Sequence, residues 1–178
     1  GFAIRLYDIT DLPFDFHPTR QLMSALKARG IYYQAHPEAP QEERSLAIQQ
    51  LRTRAAVEPS VLERVVAFTY EFTGIQPWVA RVYSSTFWII GAIFIFLLAR
   101  DLTSVDGAIA STAFYLFLPY AVRASRSFQP DPFMVMLIII FWWAVYKWST
   151  VAFDTRVSKP QVWTFAILAG LFGGLAIF

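Results

Sequence analysis

The sequence has no cysteine among its 178 residues. This absence excludes disulfide bonds and metal sites with thiolate ligands. It does not fix the compartment, because cysteine-free proteins occur on both sides of a membrane. The chain also lacks an initiator methionine, and its first residues do not show the basic, apolar and small-residue pattern of a signal peptide.

Charged residues are scarce as well. Only 16% of the residues are Asp, Glu, Lys or Arg, whereas 56% are hydrophobic and 17% are aromatic. A soluble domain of this length cannot bury so much apolar surface in one core, so lipid is the expected solvent for part of the chain. The net charge of +2 is small, and nucleic acid is not an expected partner.

Four apolar stretches each approach the roughly 20 residues that are needed to cross about 30 Å of hydrocarbon. Trp78, Trp148 and Trp163 lie near the ends of these stretches, where an indole ring fits among lipid headgroups. The sequence therefore predicts an all-α fold of polytopic transmembrane helices. The four predicted spans are Val82–Ala99, Val105–Val122, Pro132–Ser149 and Gln161–Phe178.

Both ends of the chain lie in apolar sequence, GFAIRLY and FAILAGLFGGLAIF. We therefore expect a fragment of a larger membrane protein, in which residues 1–7 are the end of a truncated first span. The expected organisation is then an extracytoplasmic helical loop at residues 8–80, followed by a transmembrane bundle of four spans at residues 81–178.

Basic residues in the short links predict which side of the membrane is cytoplasmic. Lys147, Arg156 and Lys159 cluster around the link between the third and fourth spans. An excess of Lys and Arg in short loops marks the cytoplasmic side. Residues 100–104 and 150–160 are therefore expected inside.

Residues 8–80 and 123–131 are then expected to face outward, because each span reverses the side. Arg123 and Arg126 lie on this outer side against the charge rule, which makes them candidates for a functional site. The expected location is the bacterial cytoplasmic membrane, with the site facing outward.

The outer loop carries the start and stop signals of helices rather than the composition of a linker. Pro18 suits the first position of a helix, and Gly30 suits the position past its end. A second helix is predicted at QEERSLAIQQLRTR, because its acidic start and basic end complement the helix dipole.

A third helix is predicted at Pro59–Thr73. Because Glu63, Arg64 and Glu71 would each be costly in hydrocarbon, we expect this helix to lie in the membrane interface rather than to cross the membrane. Its expected broad apolar face contains Val61, Leu62, Val65, Val66, Phe68, Thr69 and Phe72.

Asp15 lies between Phe14 and Phe16 in LPFDFHPTRQ, a polar cluster that also holds His17 and Arg20. A carboxylate held among aromatic rings near lipid would be partly desolvated, which raises its pKa and suits a general base. The alternative is a turn residue or a helix cap, because FHP leads into the predicted helix.

Arg123, Arg126 and Asp131 lie in AVRASRSFQPDPF, a short outer turn between two predicted spans. Two arginines three residues apart can share one helix face and bind a phosphate. The alternatives are that the arginines reach lipid headgroups and that Asp131 caps a helix.

Glu58 precedes Pro59 at the start of the interfacial helix, and a cap is again its alternative role. A metal site of His17, His36 and Glu58 is conceivable, but their spacing repeats no ligand pattern. A divalent metal is the one cofactor to consider, and the sequence neither identifies its ligands nor requires it.

The order of these features resembles the GT-C superfamily of polytopic glycosyltransferases, and within it the branch of protein O-mannosyltransferases and aminoarabinose transferases. Members of that branch often have two adjacent acidic residues in the first loop, whereas here Phe16 occupies the second position. They usually have a basic residue before the prolines of the turn, whereas this chain has Glu58 there. The resemblance covers nearly the whole chain and corresponds to the N-terminal part of such an enzyme. It is carried by the RLY of Ile4–Tyr7, the outer-loop acid Asp15, the turn Glu58-Pro59, the span Trp78–Leu102, and Ser125-Arg126 with Asp131.

This resemblance implies a glycosyltransferase that moves a sugar from a polyprenyl-phosphate donor to an acceptor hydroxyl on a protein, lipid or glycan. The reaction would occur at the outer boundary between lipid and water, with inversion at the anomeric carbon. Asp15 would be the general base, and arginines would stabilise the departing phosphate. The residues expected to bind substrate are His17, Arg20, Glu58, Arg123, Arg126 and Asp131.

The alternative is a non-catalytic structural or assembly subunit whose outer loop binds a partner. A transporter is disfavoured, because transporters usually place ionisable groups near the middle of the bilayer. When the third span is counted only to Tyr146, the predicted spans contain one ionisable residue, Asp106. It lies near the expected cytoplasmic end of the second span. Convergence of Asp15, Arg126 and Asp131 on one outward cavity would favour the enzyme.

Overall fold

A computed structural model describes residues 1–14, 16–53, 59–154, 156 and 158–177. This part of the chain forms helices joined by turns and contains no β-strand, so the all-α prediction is confirmed. The helices are α1 (Phe2–Leu6), α2 (Pro18–Ala35), α3 (Gln41–Arg52), α4 (Val61–Thr73), α5 (Pro77–Leu102), α6 (Val105–Phe117), α7 (Pro119–Ala124), α8 (Asp131–Val151) and α9 (Lys159–Ile177).

The chain divides into two compact units. The loop unit contains residues 2–85 and 123–130, and the span unit contains residue 1 together with residues 86–122 and 131–178. The division falls within α5, so the first turns of this long apolar helix belong to the loop unit.

The loop unit is built around α2, which packs against α3 and α4. α2 continues to Ala35, so the prediction that it ends at Gly30 is wrong. A Cβ on Gly30 would lie 2.7 Å from the Cβ of Leu51 and 3.0 Å from the carbonyl oxygen of Ala47. The glycine therefore allows two helices to approach closely, and it does not terminate one.

The predicted second and third helices of the loop are both present. α3 begins after Pro40 with two acidic residues in its first turn and ends with Arg52 in its last, as the dipole argument requires. α4 begins two residues later than predicted and ends at Thr73, before Gly74 with a φ of 71°. Glycine adopts this left-handed conformation without the steric cost that a side chain would add.

The broad apolar face predicted for α4 divides into a buried part and an exposed part. Leu62 and Val66 are buried in the loop unit. Glu63 is also buried in the loop unit, where it is only 4% exposed and accepts a 3.0 Å hydrogen bond from the Ser24 hydroxyl. The exposed part is a ridge, the α4 ridge, formed by Val61, Val65, Phe68 and Phe72.

Three helices of the described chain are long and apolar enough to cross a membrane, namely α5, α8 and α9. α8 and α9 pack against each other. The core of the span unit lies on α8, where Met136, Leu137 and Ile140 are buried. These three helices agree with the predicted first, third and fourth spans, although each begins a few residues earlier or ends later.

The second predicted span, residues 105–122, is not one continuous helix. It consists of α6 and α7, separated at Leu118, whose backbone is extended with a ψ of 126°. Pro119 causes the break, because a proline disfavours the helical conformation of the residue before it and has no N–H to donate. α6 alone is 13 residues long, which is shorter than a full crossing requires.

A polar contact joins α5 and α8 at the end that the charge rule assigns to the cytoplasm. The Lys147 ammonium lies 2.5 Å from the Asp101 carboxylate, and the Tyr146 hydroxyl donates to the Asp101 carbonyl oxygen at 3.2 Å. The basic residue that marks this side therefore also connects two helices of the span unit.

Candidate functional site

The candidate site lies in the loop unit, beginning where the chain leaves α1. Asp8 follows α1 with a φ of 54°, a left-handed conformation that is uncommon for residues other than glycine. The Asp11 amide then donates to the Asp8 carbonyl oxygen at 3.3 Å, which closes a turn. This turn leads to the segment that carries Asp15, and its carbonyl groups need partners because main-chain polar groups are rarely left without one.

Arg81, in the second turn of α5, supplies several of these partners. Arg81 is 2% exposed, and its guanidinium donates to the carbonyl oxygens of Asp8 at 3.4 Å, Ile9 at 3.2 Å and Leu12 at 3.3 Å. The guanidinium has five N–H donors in a rigid fork, so one side chain can bind several carbonyl groups at once. Arg81 thereby fixes the first part of the outer loop to α5.

The turn at residues 123–130 packs against the same segment. The Arg126 guanidinium donates to the Asp8 carbonyl oxygen at 2.9 Å. The Arg5 Nε group donates to the Ser125 hydroxyl at 2.6 Å, and both residues are fully buried. Residues 5–8 and 125–126, which are more than 100 residues apart in the sequence, are thus adjacent in the loop unit.

Gln21 makes a further connection between the outer loop and this turn. Its side-chain amide donates to the Phe16 carbonyl oxygen and accepts a 3.0 Å hydrogen bond from the Phe128 main-chain N–H. Gln21 is fully buried in the first turns of α2. The outer loop, α2 and the turn are therefore joined through one side chain.

The predicted site residues near the N-terminus are only partly described. Asp15 and Glu58 lie outside the described residues. His17 and Arg20 are exposed at the start of α2. His17 precedes the helix with a φ of 45°, makes no side-chain capping hydrogen bond, and has its ring 4.5 Å from that of Phe16.

The predicted residues of the turn fall in different places. Arg123 is exposed near the end of α7, whereas Arg126 is half-buried and lies beyond that helix, which ends at Ala124. The prediction that the two arginines share one helix face is therefore wrong, because the helix stops between them. Asp131 is the first residue of α8 and belongs to the span unit.

The described residues do not assemble a metal site. They contain no group of three His, Asp or Glu side chains that could hold an ion. His17 and His36 flank opposite ends of α2, which has 18 residues and is about 27 Å long at 1.5 Å per residue. One ion cannot bind both histidines, so the conceivable site of His17, His36 and Glu58 is ruled out.

His36 instead connects the ends of α2 and α4. Its Nδ1 lies 2.8 Å from the Tyr32 carbonyl oxygen, and its Nε2 lies 2.9 Å from the Glu71 carboxylate. The hydrogen bond to Tyr32 is the main cause that raises the pKa of His36, and the negative charges of Glu71 and Glu38 raise it further. Protonation of His36 therefore strengthens this connection.

Arg5, Gln21 and Arg81 are not among the residues predicted from the sequence. Each acts through a residue that is distant in the chain or through main-chain atoms, which no local pattern reveals. One signal was present for the arginines: each lies in an apolar stretch, IRLY or WVARVY. A charged residue in such a stretch usually has a buried partner or a function.

Comparison with family models supports the resemblance. Residues 57–178 match the model for the dolichyl-phosphate-mannose-protein mannosyltransferase family. The match contains Arg81, Arg123, Arg126 and Asp131, whereas the segment of Asp15 precedes it. Comparisons with curated proteins and with solved structures found no match.

The family match covers more than half of the chain and includes the three helices that are long enough to cross a membrane. Both observations indicate an integral membrane protein of the transferase class. The chain belongs to the dolichyl-phosphate-mannose-protein mannosyltransferase family of membrane glycosyltransferases.

Proposed function

We propose that the protein transfers a sugar from a polyprenyl-phosphate donor to an acceptor hydroxyl at the outer boundary between lipid and water. Family membership supports the use of a lipid-linked donor, and the family description suggests mannose as the first sugar to test. Asp15 is the general base in this proposal, and the reaction inverts the anomeric centre.

The observation that carries the proposal is the position of Arg126. One guanidinium nitrogen of Arg126 is 2.9 Å from the Asp8 carbonyl oxygen, in the turn that leads toward Asp15. Its Nε is buried and has no hydrogen-bond partner among the described residues. A buried donor without a partner is costly, and a phosphate oxygen would relieve that cost.

The chemistry requires a base and a cation on the outer face. The acceptor oxygen attacks the anomeric carbon while its proton passes to the Asp15 carboxylate, and the bond from the anomeric carbon to the phosphate oxygen breaks. Polyprenyl phosphate leaves with an additional negative charge. Arg126 stabilises that charge as it develops, which lowers the barrier more than it strengthens ground-state binding.

The remaining candidates bind substrate in this proposal. His17 and Arg20 are exposed at the start of α2, and Arg123 is exposed on α7, so all three side chains are accessible to a ligand. Glu58 and Asp131 keep the substrate-binding roles that the resemblance implies. No step of the proposal uses a metal ion.

The proposal requires the loop unit to face outward. Contacts of Arg126 with Asp8 and of Phe128 with Gln21 support one side for residues 8–80 and 123–131. Single cysteines at Ser45 and Ser158 test the orientation, because the protein has no cysteine of its own. In sealed vesicles a membrane-impermeant maleimide should label the two positions from opposite sides, and labelling from one side would exclude the proposed topology.

The function itself is tested with the full-length protein in lipid vesicles, a radiolabelled polyprenyl-phosphate mannose donor, and candidate protein, lipid and glycan acceptors. Arg126→Ala should weaken donor binding and also slow transfer, because the guanidinium meets the phosphate in the ground state and in the transition state. Arg123→Ala is the matched comparison, and the smaller effect is expected there because Arg123 is exposed and its side chain makes no hydrogen bond or ion pair with the other described residues. Unchanged donor affinity and rate in Arg126→Ala would remove the phosphate-binding role.

A further inference from the structure

Gln21 has a geometry that a buried packing residue does not need. Its side-chain oxygen accepts the Phe128 N–H at 3.0 Å, and its side-chain nitrogen donates to the Phe16 carbonyl oxygen. Phe16 directly follows Asp15, and Phe128 comes two residues after Arg126. One planar amide therefore lies between the neighbours of the proposed base and of the proposed phosphate ligand.

The two contacts require one side chain to be both a hydrogen-bond acceptor and a hydrogen-bond donor. Phe128 presents a donor and Phe16 presents an acceptor, so the group between them must accept on one atom and donate on another. A primary amide does both in one rigid plane, whereas a carboxylate only accepts and an apolar side chain does neither. Because Gln21 is fully buried, water does not replace either hydrogen bond without a change in packing.

We infer that Gln21 is a positioning residue that fixes the separation between the Asp15 segment and the Arg126 turn. It touches main-chain atoms on both sides, so it acts through the backbone rather than on the substrate. The catalytic part of this inference rests on the proposed function. Its structural part, the coupling of the outer loop to the turn, holds independently of what reaction the protein performs.

The coupling matters because transfer depends on geometry. A displacement of about 1 Å between reacting groups can cost up to about 100-fold in rate. If Gln21 sets this separation, its loss should lower kcat while the affinity for the donor changes little, because Arg126 and Arg123 remain. A residue that only contributes stability would lower the amount of folded protein without separating kcat from KM.

Gln129 provides a control of the same residue type in the same unit. It is 3% exposed, and its amide nitrogen has no hydrogen-bond partner among the described residues. Replacement of either glutamine by methionine keeps a similar length and removes the amide. Only the replacement at position 21 removes a connection between two segments.

The experiment measures hydrogen–deuterium exchange and transfer kinetics on the full-length protein in lipid vesicles. Gln21→Met should speed exchange in peptides that cover residues 8–16 and 123–130, and it should lower kcat by about 10- to 100-fold with donor KM within about twofold. Gln129→Met should leave the exchange of the 8–16 peptide unchanged.

Gln21→Glu tests the two hydrogen bonds separately, because it should keep one and remove the other. A carboxylate still accepts the Phe128 N–H, so exchange in the 123–130 peptide should stay slow, but it cannot donate to Phe16, so the 8–16 peptide should exchange faster. Protonation of the introduced carboxylate gives it an O–H group that can donate to the Phe16 carbonyl oxygen again. The loop peptide should therefore regain protection at low pH, after correction for intrinsic exchange rates, and the unmutated protein should not show this recovery.

The inference is overturned if Gln21→Met leaves exchange in both segments unchanged, or if its kcat falls no further than that of Gln129→Met. Absence of transfer by the unmutated protein would instead contradict the proposed function, and the exchange measurements would still decide whether Gln21 couples the loop to the turn.

Discussion

The guanidinium of Arg126 lies 2.9 Å from the main-chain carbonyl oxygen of Asp8, although 118 residues separate the two in the sequence. The same carbonyl oxygen also accepts from Arg81. The start of the outer loop is therefore held by cations from two later segments of the chain. This arrangement makes the position of the loop sensitive to single changes that lie far from it in sequence.

Arg81 is expected to stabilise the outer loop through its hydrogen bonds to three carbonyl groups. Arg81→Lys keeps the charge but not the fork of donors, and the loss of hydrogen bonds to these part-buried carbonyl groups should lower the free energy of unfolding by about 1–3 kcal/mol. Denaturation in detergent micelles measures this change. Arg100→Lys is the control, because Arg100 is 46% exposed and an exposed pair contributes at most about 1 kcal/mol. Equal effects at both positions would contradict the role of Arg81.

Gly30 is expected to resist substitution even though it lies inside a helix. Alanine normally stabilises a helix by up to about 1 kcal/mol relative to glycine. Here the added Cβ would meet Leu51 at 2.7 Å, so Gly30→Ala should destabilise by about 1–3 kcal/mol through overpacking. Gly170→Ala is the control, since nothing lies within 4 Å of its added Cβ. A stabilised Gly30→Ala protein would show that α2 and α3 do not pack this closely.

His36 is expected to make the stability of the loop unit depend on pH. Its pKa is raised in the folded protein, so its contribution is complete below the ordinary value of about 6.5 and is lost as the pH rises through the higher folded value. The thermal midpoint should therefore fall as the pH rises above about 6.5. This fall should shrink in His36→Gln and in Glu71→Gln.

The other histidine supplies the control for this pH dependence. His17 is exposed and contacts no carboxylate among the described residues, so His17→Gln should keep the fall of the midpoint. A pH profile that is the same in His36→Gln as in the unmutated protein would show that the connection to Glu71 does not titrate in this range.

The α4 ridge is expected to lie on the membrane surface. Phe68 is 67% exposed and Phe72 is 77% exposed, and the two rings lie 5.6 Å apart on one side of α4. An amphipathic helix of this kind buries its apolar side at the level of the headgroups. A fluorophore on a cysteine at position 68 should be quenched by lipids with bromine near the headgroup, whereas one at the exposed Ser45 on the polar helix α3 should not. Equal quenching at 45 and 68 would refute this orientation.

The helices could be predicted from the sequence because their signals are local. Length and hydropathy locate the long apolar helices, and the acidic and basic ends of α3 locate that helix. The break before Pro119 had a local signal too, but the apolar length of residues 105–122 outweighed it in the prediction. The packing role of Gly30 has no local signal, because its close neighbour, Leu51, lies on another helix.

The candidate site was less accessible to prediction. The arginines of the turn were singled out because they break the charge rule, and Asp15 because it lies between two aromatic residues close to the predicted first span. The family resemblance then implied the role of Asp15 as the base. Gln21 and Arg81 make contacts across 107 and 72 residues of sequence. Such contacts follow from the tertiary fold, and no hydrophobic period or motif indicates them.

The most direct test of the account is the transfer rate of Asp15→Asn in the full-length protein, measured with saturating polyprenyl-phosphate mannose and an acceptor that the unmutated protein uses. Asparagine keeps the size and most of the hydrogen bonding but removes the basic oxygen. General base catalysis contributes about 10²- to 10⁴-fold, so the rate should fall by that factor while donor binding is retained. Transfer at the unmutated rate would contradict the account, because Asp15 would then be a turn residue and not the base.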